Sequence, residues 1–348
     1  MNRTRTAVRL IALGALSTAA LLAPAGTTVA GAATSAVAPV FHPAAVSPAQ
    51  IEGVRKFWTP QRLRAAKPVD LPTGRPAPSA KRAAPSGPAV RIAPFATSHT
   101  SGSDALTTAS GANGQWTGSQ TSLPAKDIGV LNFTHPDGSA HYCSASVVVS
   151  GNRDLLLTAG HCVYDKSFVA RYGTGWFGNY VFYPGYNGTA TNQAPYGAWV
   201  GRGAGTTGQW LSSGDLSYDI GMVVLNTNSA GRHISDVLGN AFGLEWNLSR
   251  GHVIANFGYP QDPVPYDGRH LDWCKGTEAS GGGGSPTRNR VLCDMGHGSS
   301  GGPWLDQFSS TSGWGYANSV NSTTDGTYEY SPYFNDTFGS LYNAMKNI

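Results

Sequence analysis

The sequence predicts an all-β body, folded as an antiparallel sandwich or barrel and closed by one C-terminal helix. Three observations carry this prediction. From about residue 121, short apolar runs recur between Gly, Asn, Asp and Pro. Only 13% of the 348 residues are charged, while 45 are Gly and 22 are Pro, which favours a turn-rich β protein over a coiled coil or helical bundle. Four apolar residues near the C terminus recur with helical spacing.

The first 32 residues read as a secretory signal. Three arginines within residues 3–9 give a basic start, residues 10–24 are uncharged and apolar, and Ala30-Gly31-Ala32 supplies the small-residue cleavage pattern. A membrane anchor would need about 20 apolar residues. We therefore expect a secreted, extracellular protein with no membrane association after signal removal.

Residues 33–120 are predicted to form an Ala/Pro-rich, low-complexity pro-segment or linker. Ala, Pro, Ser and basic residues dominate them, and strand-like alternation is scarce. Ile51, Val54, Phe57 and Trp58 are spaced as on one helix face, so this stretch either docks on the body or belongs to an extended tail.

Charge differs between the two parts of the chain. Residues 1–120 hold 12 basic and 3 acidic side chains, whereas residues 121–348 hold 12 basic and 17 acidic ones. Binding to a nucleic-acid backbone needs clustered Lys and Arg, so the mildly acidic body argues against a nucleic-acid partner.

The body begins near residue 121, and its predicted elements are strands and one helix. The strands are 128–133, 143–149, 154–159, 220–225, 253–259 and 291–294. Phe338, Leu341, Tyr342 and Met345 fall at i, i+3, i+4 and i+7, which predicts the closing helix.

Four cysteines lie in the body, which suits an oxidising destination. Three connectivities are open, and local spacing favours Cys143 with Cys162 and Cys274 with Cys293. No Cys-x-x-Cys pair occurs, so we expect no metal site.

Gly298-Ser299-Ser300-Gly301-Gly302 is the sharpest local motif. A serine between glycines can sit on a tight turn whose N–H groups converge on one point, as an oxyanion hole requires. Ser300 is therefore the candidate nucleophile, and the N–H groups of Gly298 and Ser300 are the candidate oxyanion donors. Such clusters are more often plain turns, so the motif needs partners.

A serine nucleophile needs a general base, and a histidine base needs an orienting carboxylate. His161 follows a predicted strand and adjoins Cys162, whose disulfide would fix its position. Asp219 opens an apolar run, where a buried charge needs a partner such as a histidine. Taken alone, each residue also fits an ordinary structural role.

Chain order discriminates among the arrangements of Ser, His and Asp. The serine motif also satisfies the G-x-S-x-G pattern of α/β-hydrolases, but that fold places its histidine after the serine. His297 is the last histidine in the chain. The order His161, Asp219, Ser300 agrees with the chymotrypsin arrangement and not with that of subtilisin.

Several segments together resemble the chymotrypsin-fold serine peptidases, and the likeness is closest to the secreted bacterial trypsin-like and V8-like (glutamyl endopeptidase) branch. The resemblance covers about residues 125–345 and rests on Cys143-Ser144-Ala145-Ser146-Val147-Val148, Thr158-Ala159-Gly160-His161-Cys162, Asp219-Ile220, Gly258-Tyr259-Pro260 and Gly298-Ser299-Ser300-Gly301-Gly302-Pro303.

The resemblance implies two packed, antiparallel six-stranded β-barrels within a peptidase domain at 121–348. The barrels would span about 121–230 and 231–348, with the active site in the cleft between them. In the implied mechanism, His161 takes the Ser300 proton and Asp219 holds the imidazole. Many family members carry Asp before the nucleophile, where it pairs with a newly cut N-terminal amine, and Ser299 cannot form that ion pair.

Substrate preference is open at this level. Asp294 lies six residues before Ser300, the offset of the acidic specificity residue in trypsin, and so could select Arg or Lys; a structural Asp beside a disulfide is the alternative. Glutamyl specificity is associated with a histidine on the strand after the nucleophile, and Tyr316 to Ser322 contains none. His297 would at most line the cleft.

These observations predict a secreted serine endopeptidase, made as a zymogen, that hydrolyses peptide bonds through a Ser-His-Asp triad and an acyl-enzyme intermediate. The alternatives are a catalytically inactive binding protein and an esterase, both of the same fold. We expect protein or peptide substrates, a monomer and no cofactor.

Overall fold

Six antiparallel strands close into a barrel in the first half of the body. Around the barrel they are Ile128–Thr134, Ala140–Val147, Leu155–Thr158, Gly221–Leu225, Trp199–Thr206 and Gly178–Pro184, and the last pairs with the first. Every residue of Ile128–Thr134 and of Leu155–Thr158 is buried. This burial explains why the sequence shows continuous apolar runs rather than strict alternation.

The second half is built from six main strands in two sheets. Val253–Gly258, Asp272–Thr277, Pro303–Asp306 and Tyr316–Val320 lie in one sheet, and Arg288–Leu292 pairs with Tyr328–Pro332 in the other. Shorter strands extend these sheets at Gly243–Trp246, Ala279–Ser280 and Thr323–Thr324, and Asn240–Ala241 forms a separate two-stranded sheet with Phe95–Ala96. The predicted all-β class is confirmed, with the difference that the second half is not one continuous ladder.

The computed structural model describes Met1 and residues 38–69, 85–96, 112–281, 287–309, 312 and 314–348. Except for Met1, the predicted signal at 1–32 lies outside the described residues. The described part from residue 38 onward belongs to one compact unit. Within the described residues, no helix is long and apolar enough to cross a membrane.

Residues 38–69 and 85–96, called here the N-terminal segment, pair with the body through backbone hydrogen bonds. Their strands are Val40–Pro43, Lys67–Pro68, Val90–Ile92 and Phe95–Ala96, and a further strand at Ala112–Gln115 pairs with Asp272–Thr277. Composition does not predict these strands. The hydrogen bonds between paired strands are made by main-chain groups, which an Ala/Pro-rich segment also has.

The helix expected in this segment is present as Pro48–Phe57, followed by Pro60–Ala65. Ser47 and Gln50 form a reciprocal capping box at its start, and Pro48 occupies the first turn. Val54 and Trp58 are buried against the first barrel in a cluster with Val181 and Val200. The helix therefore docks on the body.

The predicted C-terminal helix spans Asp336–Met345, and its four spaced apolar residues are all buried. Asn335 caps it by accepting a hydrogen bond from the Thr337 N–H at 2.9 Å. The remaining short α-helices are Val169–Tyr172, Gly208–Ser213 and Ile234–Leu238.

Both disulfides join the cysteines that local spacing favours, Cys143 with Cys162 and Cys274 with Cys293. The first links strand Ala140–Val147 to the turn that carries His161. It therefore restrains a candidate catalytic residue as well as the barrel.

Candidate active site

His161 lies in the turn Gly160–Cys162, directly after strand Leu155–Thr158. Gly160 gives the turn room, because a Cβ there would lie 3.0 Å from both Asp219 Oδ1 and Trp210 Cγ. The His161 side chain is only 3% exposed. The strand end, the glycine and the neighbouring disulfide together hold the imidazole in one place.

Asp219 is fully buried and takes three hydrogen bonds. Its Oδ1 accepts the His161 backbone N–H at 2.7 Å, and its Oδ2 lies 2.7 Å from both His161 Nδ1 and Ser322 Oγ. Burial opposes ionisation, but the His161 charge and these hydrogen bonds outweigh it, so the pKa of Asp219 is lowered. An ionised carboxylate can only accept, and Nδ1 therefore carries the proton.

With Nδ1 donating to Asp219, His161 Nε2 is left as the ring's proton acceptor. Nε2 is buried and has no hydrogen-bond partner in the described part of the chain. A buried imidazole nitrogen without a partner is costly. A general base needs such an unoccupied nitrogen, to which a hydroxyl can donate its proton.

Ser300 lies in the turn between strands Arg288–Leu292 and Pro303–Asp306. Its carbonyl oxygen accepts the Ser144 N–H at 2.8 Å and lies 3.9 Å from Cys162 Sγ. These contacts bring the serine turn against the turn of His161. No hydrogen bond joins Ser300 Oγ to His161 Nε2, although catalytic hydrogen bonds are often long before substrate binds.

The backbone around Ser300 carries the two candidate oxyanion donors, the N–H groups of Gly298 and Ser300. Gly298 has φ +98°, which a residue with a side chain rarely adopts, and Ser144 Oγ donates to its carbonyl oxygen at 2.8 Å. Among the described residues, neither the Gly298 N–H nor the Ser300 N–H donates to another protein group. Both N–H groups are thus available to a ligand.

Two solved bacterial proteases are similar to this chain over most of its described length. One is the protease Anisep from Arthrobacter nicotinovorans, at 34% identity over 68% of this chain and 100% of that chain, with a TM-score of 0.58. The other is the thermostable serine protease AL20 from an extremophilic microorganism, at 31% identity over 64% of this chain and 97% of that one, with a TM-score of 0.57.

The chain belongs to the bacterial serine proteases of the chymotrypsin fold. A Glu endopeptidase structure, at 19% identity over 68% of this chain and 97% of that one with a TM-score of 0.52, shares the fold. No protein-family model and no curated protein matched.

In this protease, Ser299 is buried and faces Glu329 instead of providing an acid of its own. Its Oγ lies 2.8 Å from both Glu329 Oε1 and the Gly296 carbonyl oxygen. Burial raises the pKa of Glu329 well above its usual value. The carboxyl that supports the turn thus comes from a neighbouring strand, Tyr328–Pro332.

Asp294 and His297, the two residues considered for specificity, are both tied to other loops. Asp294 Oδ1 accepts from Tyr266 Oη at 2.7 Å and from Asn113 Nδ2 at 2.8 Å. His297 Nδ1 lies 2.8 Å from Asp262 Oδ2. The contacts of Asp294 favour the structural alternative over the pocket role.

The cluster of Cys143, Cys162 and His161 has the spacing of metal ligands. Both sulfurs are engaged in the disulfide, so neither can bind a metal as a thiolate. The cluster therefore offers only the imidazole.

Ser322, Glu329 and Arg288 belong to the surroundings of the site and were not identified from sequence. Ser322 bonds to Asp219, Glu329 bonds to Ser299, and Arg288 bonds to Ser322. None lies in a motif, because their roles arise from strand pairing between segments that are distant in sequence. A charged residue in a predicted strand, such as Glu329 or Arg288, is the one sequence feature that could have pointed to these roles.

Proposed function

We propose that this protease is a secreted serine endopeptidase that cleaves peptide bonds through Ser300, His161 and Asp219. The observation that carries the proposal is the fixed Asp219–His161 pair, whose Nε2 has no hydrogen-bond partner among the described residues. The carbonyl oxygen of Ser300 lies 3.9 Å from Cys162 Sγ, next to His161 in the chain. This set can perform acyl transfer without a cofactor.

In the first half of the reaction, Ser300 Oγ attacks the substrate carbonyl carbon while His161 Nε2 takes its proton. The carbonyl oxygen becomes an oxyanion, which accepts hydrogen bonds from the N–H groups of Gly298 and Ser300. Asp219 stays ionised and stabilises the imidazolium. The imidazolium then protonates the leaving amine, which leaves an ester on Ser300.

In the second half, water attacks the ester carbonyl and His161 takes the proton of that water. The imidazolium returns the proton to Ser300 Oγ as the acid product leaves. The enzyme ends in its starting protonation state, so one water is consumed for each peptide bond cleaved.

We further propose that the chain is a precursor whose N-terminal part is removed. Ser300 is 8% exposed and His161 3% exposed, so a polypeptide has little access to them. Strand Lys67–Pro68 pairs with His141 and Tyr142, directly before the disulfide cysteine 143. Tyr142 Oη would lie 2.7 Å from a Cβ at Gly298, which places this pairing beside the oxyanion turn.

The test is active-site labelling of the full chain after expression and secretion, compared with a Ser300→Ala variant. We expect a fluorophosphonate adduct on Ser300 and peptide hydrolysis, with kcat lowered about 10⁶-fold in Ser300→Ala and in His161→Ala. Ser340→Ala, at an exposed helix position, is the matched control and should keep full activity.

The same preparation separates the alternatives. Processed protein that takes no label and cleaves no peptide would be the inactive binding protein, and turnover of esters without amides would indicate an esterase. Peptide-library profiling then tests Asp294: preference for Arg and Lys that Asp294→Asn abolishes would restore its pocket role.

A further inference from the structure

Arg288 is a buried cation at the start of strand Arg288–Leu292, in the second half of the fold. The residue is only 2% exposed. Its Nη2 donates to Thr323 Oγ1 at 2.6 Å and to Ser322 Oγ at 3.2 Å. A buried guanidinium is costly unless nearby negative charge compensates for lost hydration.

The negative charge nearest in effect to Arg288 shows which group the arginine acts on. Burial lowers the pKa of Arg288 to about 10, which still leaves it protonated, and the charge of Asp219 is the largest opposing influence. The ring of Tyr330 lies 5.4 Å from the guanidinium carbon, and the charge of Asp215 also acts on the group. The arginine is thus linked to the carboxylate that orients His161 through Ser322 Oγ, which accepts from Arg288 and donates to Asp219.

The hydrogen bonds also have a direction. A guanidinium can only donate, so Arg288 occupies a lone pair of Ser322 Oγ and cannot take the Ser322 proton. The single hydroxyl proton is then directed to Asp219 Oδ2 at 2.7 Å, the same oxygen that accepts from His161 Nδ1.

We propose that Arg288 is a positioning residue for the catalytic reaction, acting through Ser322 to hold Asp219 ionised and oriented toward His161. The proposal rests on the proposed function. Arg288 comes from the second half of the fold and Asp219 from the first, so the arginine also makes the geometry of the base depend on how the halves pack.

Two consequences distinguish this role from simple structural support. Without Arg288, the Ser322 hydroxyl can rotate and Asp219 loses a directed donor, so kcat falls while the KM of a small substrate changes little. Removal of a cation near the Asp219–His161 pair also favours the protonated imidazole. The acid limb of the pH dependence of kcat/KM should therefore move to higher pH.

The experiment compares Arg288→Met, Arg288→Lys and Arg290→Met in the processed protein obtained by secretion of the full chain, with active sites counted by fluorophosphonate titration. Arg290 is the matched control, since it lies in the same strand with its guanidinium carbon 4.6 Å from the ring of Tyr328, away from the triad. We expect Arg288→Met to lower kcat roughly 10- to 100-fold, as for loss of a charged hydrogen bond. Its acid limb should move up by about 1 pH unit.

Arg288→Lys should keep the parental acid limb of the kcat/KM profile, because the charge remains. Arg290→Met should keep both this acid limb and the parental kcat. In a double-mutant cycle, Arg288→Met should add little to the kcat loss of Ser322→Ala, because the two residues act in series. If Arg288→Met does not fold, Arg288→Gln, which also removes the charge, takes its place in the cycle with the same expectation.

Independent, multiplying losses in the cycle would overturn the proposal, as would an acid limb that coincides with that of Arg290→Met. Failure of the proposed function looks different: the processed parent would then take no fluorophosphonate label and cleave no peptide, or Ser300→Ala would keep the activity of the parent, whatever Arg288 does.

Discussion

Gly298 is the residue whose backbone conformation most directly tests the proposed oxyanion donors. Its φ of +98° belongs to the region that favours glycine, and a Cβ there would lie 2.5 Å from the Tyr259 carbonyl oxygen and 2.7 Å from Tyr142 Oη. A side chain would force the turn to move. The orientation of the Gly298 N–H group, a proposed oxyanion donor, would then change.

We predict that Gly298→Ala lowers kcat on the order of 100-fold, the usual cost of losing one oxyanion donor, with a smaller effect on KM. Gly138→Ala is the control, because Gly138 has a similar φ of +86° but nothing within 4 Å of a Cβ. The measurement is steady-state kinetics on a peptide substrate. Equal activity in the two variants would show that the turn at 298 does not supply an oxyanion donor.

At the scale of elements, the N-terminal segment behaves as part of the fold. Trp58 is buried, and its Nε1 donates to the Asn179 carbonyl oxygen at 2.6 Å. Val54 packs in the same cluster on the first barrel. On the second half, Arg91 lies 2.7 Å from Glu245 and 3.2 Å from Asp306.

We predict that Trp58→Ala loosens the docked helix Pro48–Phe57. Truncating a buried Trp typically costs on the order of 3 kcal/mol, which would raise the population of the undocked segment by about 100-fold. The measurement is limited proteolysis by an added protease in a Ser300→Ala background, which removes self-digestion. Cleavage within residues 38–69 should become about 100-fold faster, because its rate follows the population of the undocked segment.

Lys56→Ala is the control for this element, because Lys56 lies two residues away with a side chain that is 76% exposed. It should digest at the parental rate. Equal cleavage of Trp58→Ala and Lys56→Ala would mean that the segment is held by its strands alone.

Elements of the body could be predicted from the sequence because each carries its own periodic or apolar signal. The strand at 128–134 and the helix over Phe338, Leu341, Tyr342 and Met345 are of this kind. The pairing of Lys67–Pro68 with Ala140–Val147 could not, since it joins backbone groups across more than 70 residues and leaves no side-chain pattern.

The candidate site likewise contains residues that could be predicted from the sequence and residues that could not. His161, Asp219 and Ser300 stand in local motifs, and chain order suggested their association. Ser322 and Arg288 act on Asp219 only because two strands of the second half meet behind it. Tertiary packing creates that relation, and a single sequence does not record it.

The whole molecule buries several carboxyl groups whose protonation links stability to pH. The pKa values of Asp127, Asp272 and Glu278 are raised to about 7, and the pKa of Glu245 is raised to about 8. Burial is the largest cause for each of the four. In the unfolded chain these groups ionise near pH 4. Between about pH 6.5 and 8 the folded state therefore binds more protons than the unfolded state, and stability must fall as the pH rises.

His135 does not reverse this trend in that window. Burial, with repulsion from His141, lowers the pKa of His135 to about 4, so His135 is uncharged in the fold above that pH. A lowered histidine pKa contributes stability that is fully present above about pH 6.5, the ordinary histidine value, and is lost only as the pH falls below it. Above pH 6.5, the buried carboxyls thus determine the slope.

We predict that the melting temperature of the full chain in a Ser300→Ala background falls from pH 6.5 to pH 8, and that Glu245→Gln reduces this fall. Glutamine keeps the shape of the neutral acid and cannot ionise beside Asp306. The reduction should reach roughly 2 °C, the shift that about 1 kcal/mol causes in a domain of this size. Glu52→Gln, whose side chain is 52% exposed, should keep the parental slope. A Glu245→Gln slope equal to that of Glu52→Gln would mean that Glu245 is already ionised at pH 6.5, with Arg91 compensating its charge.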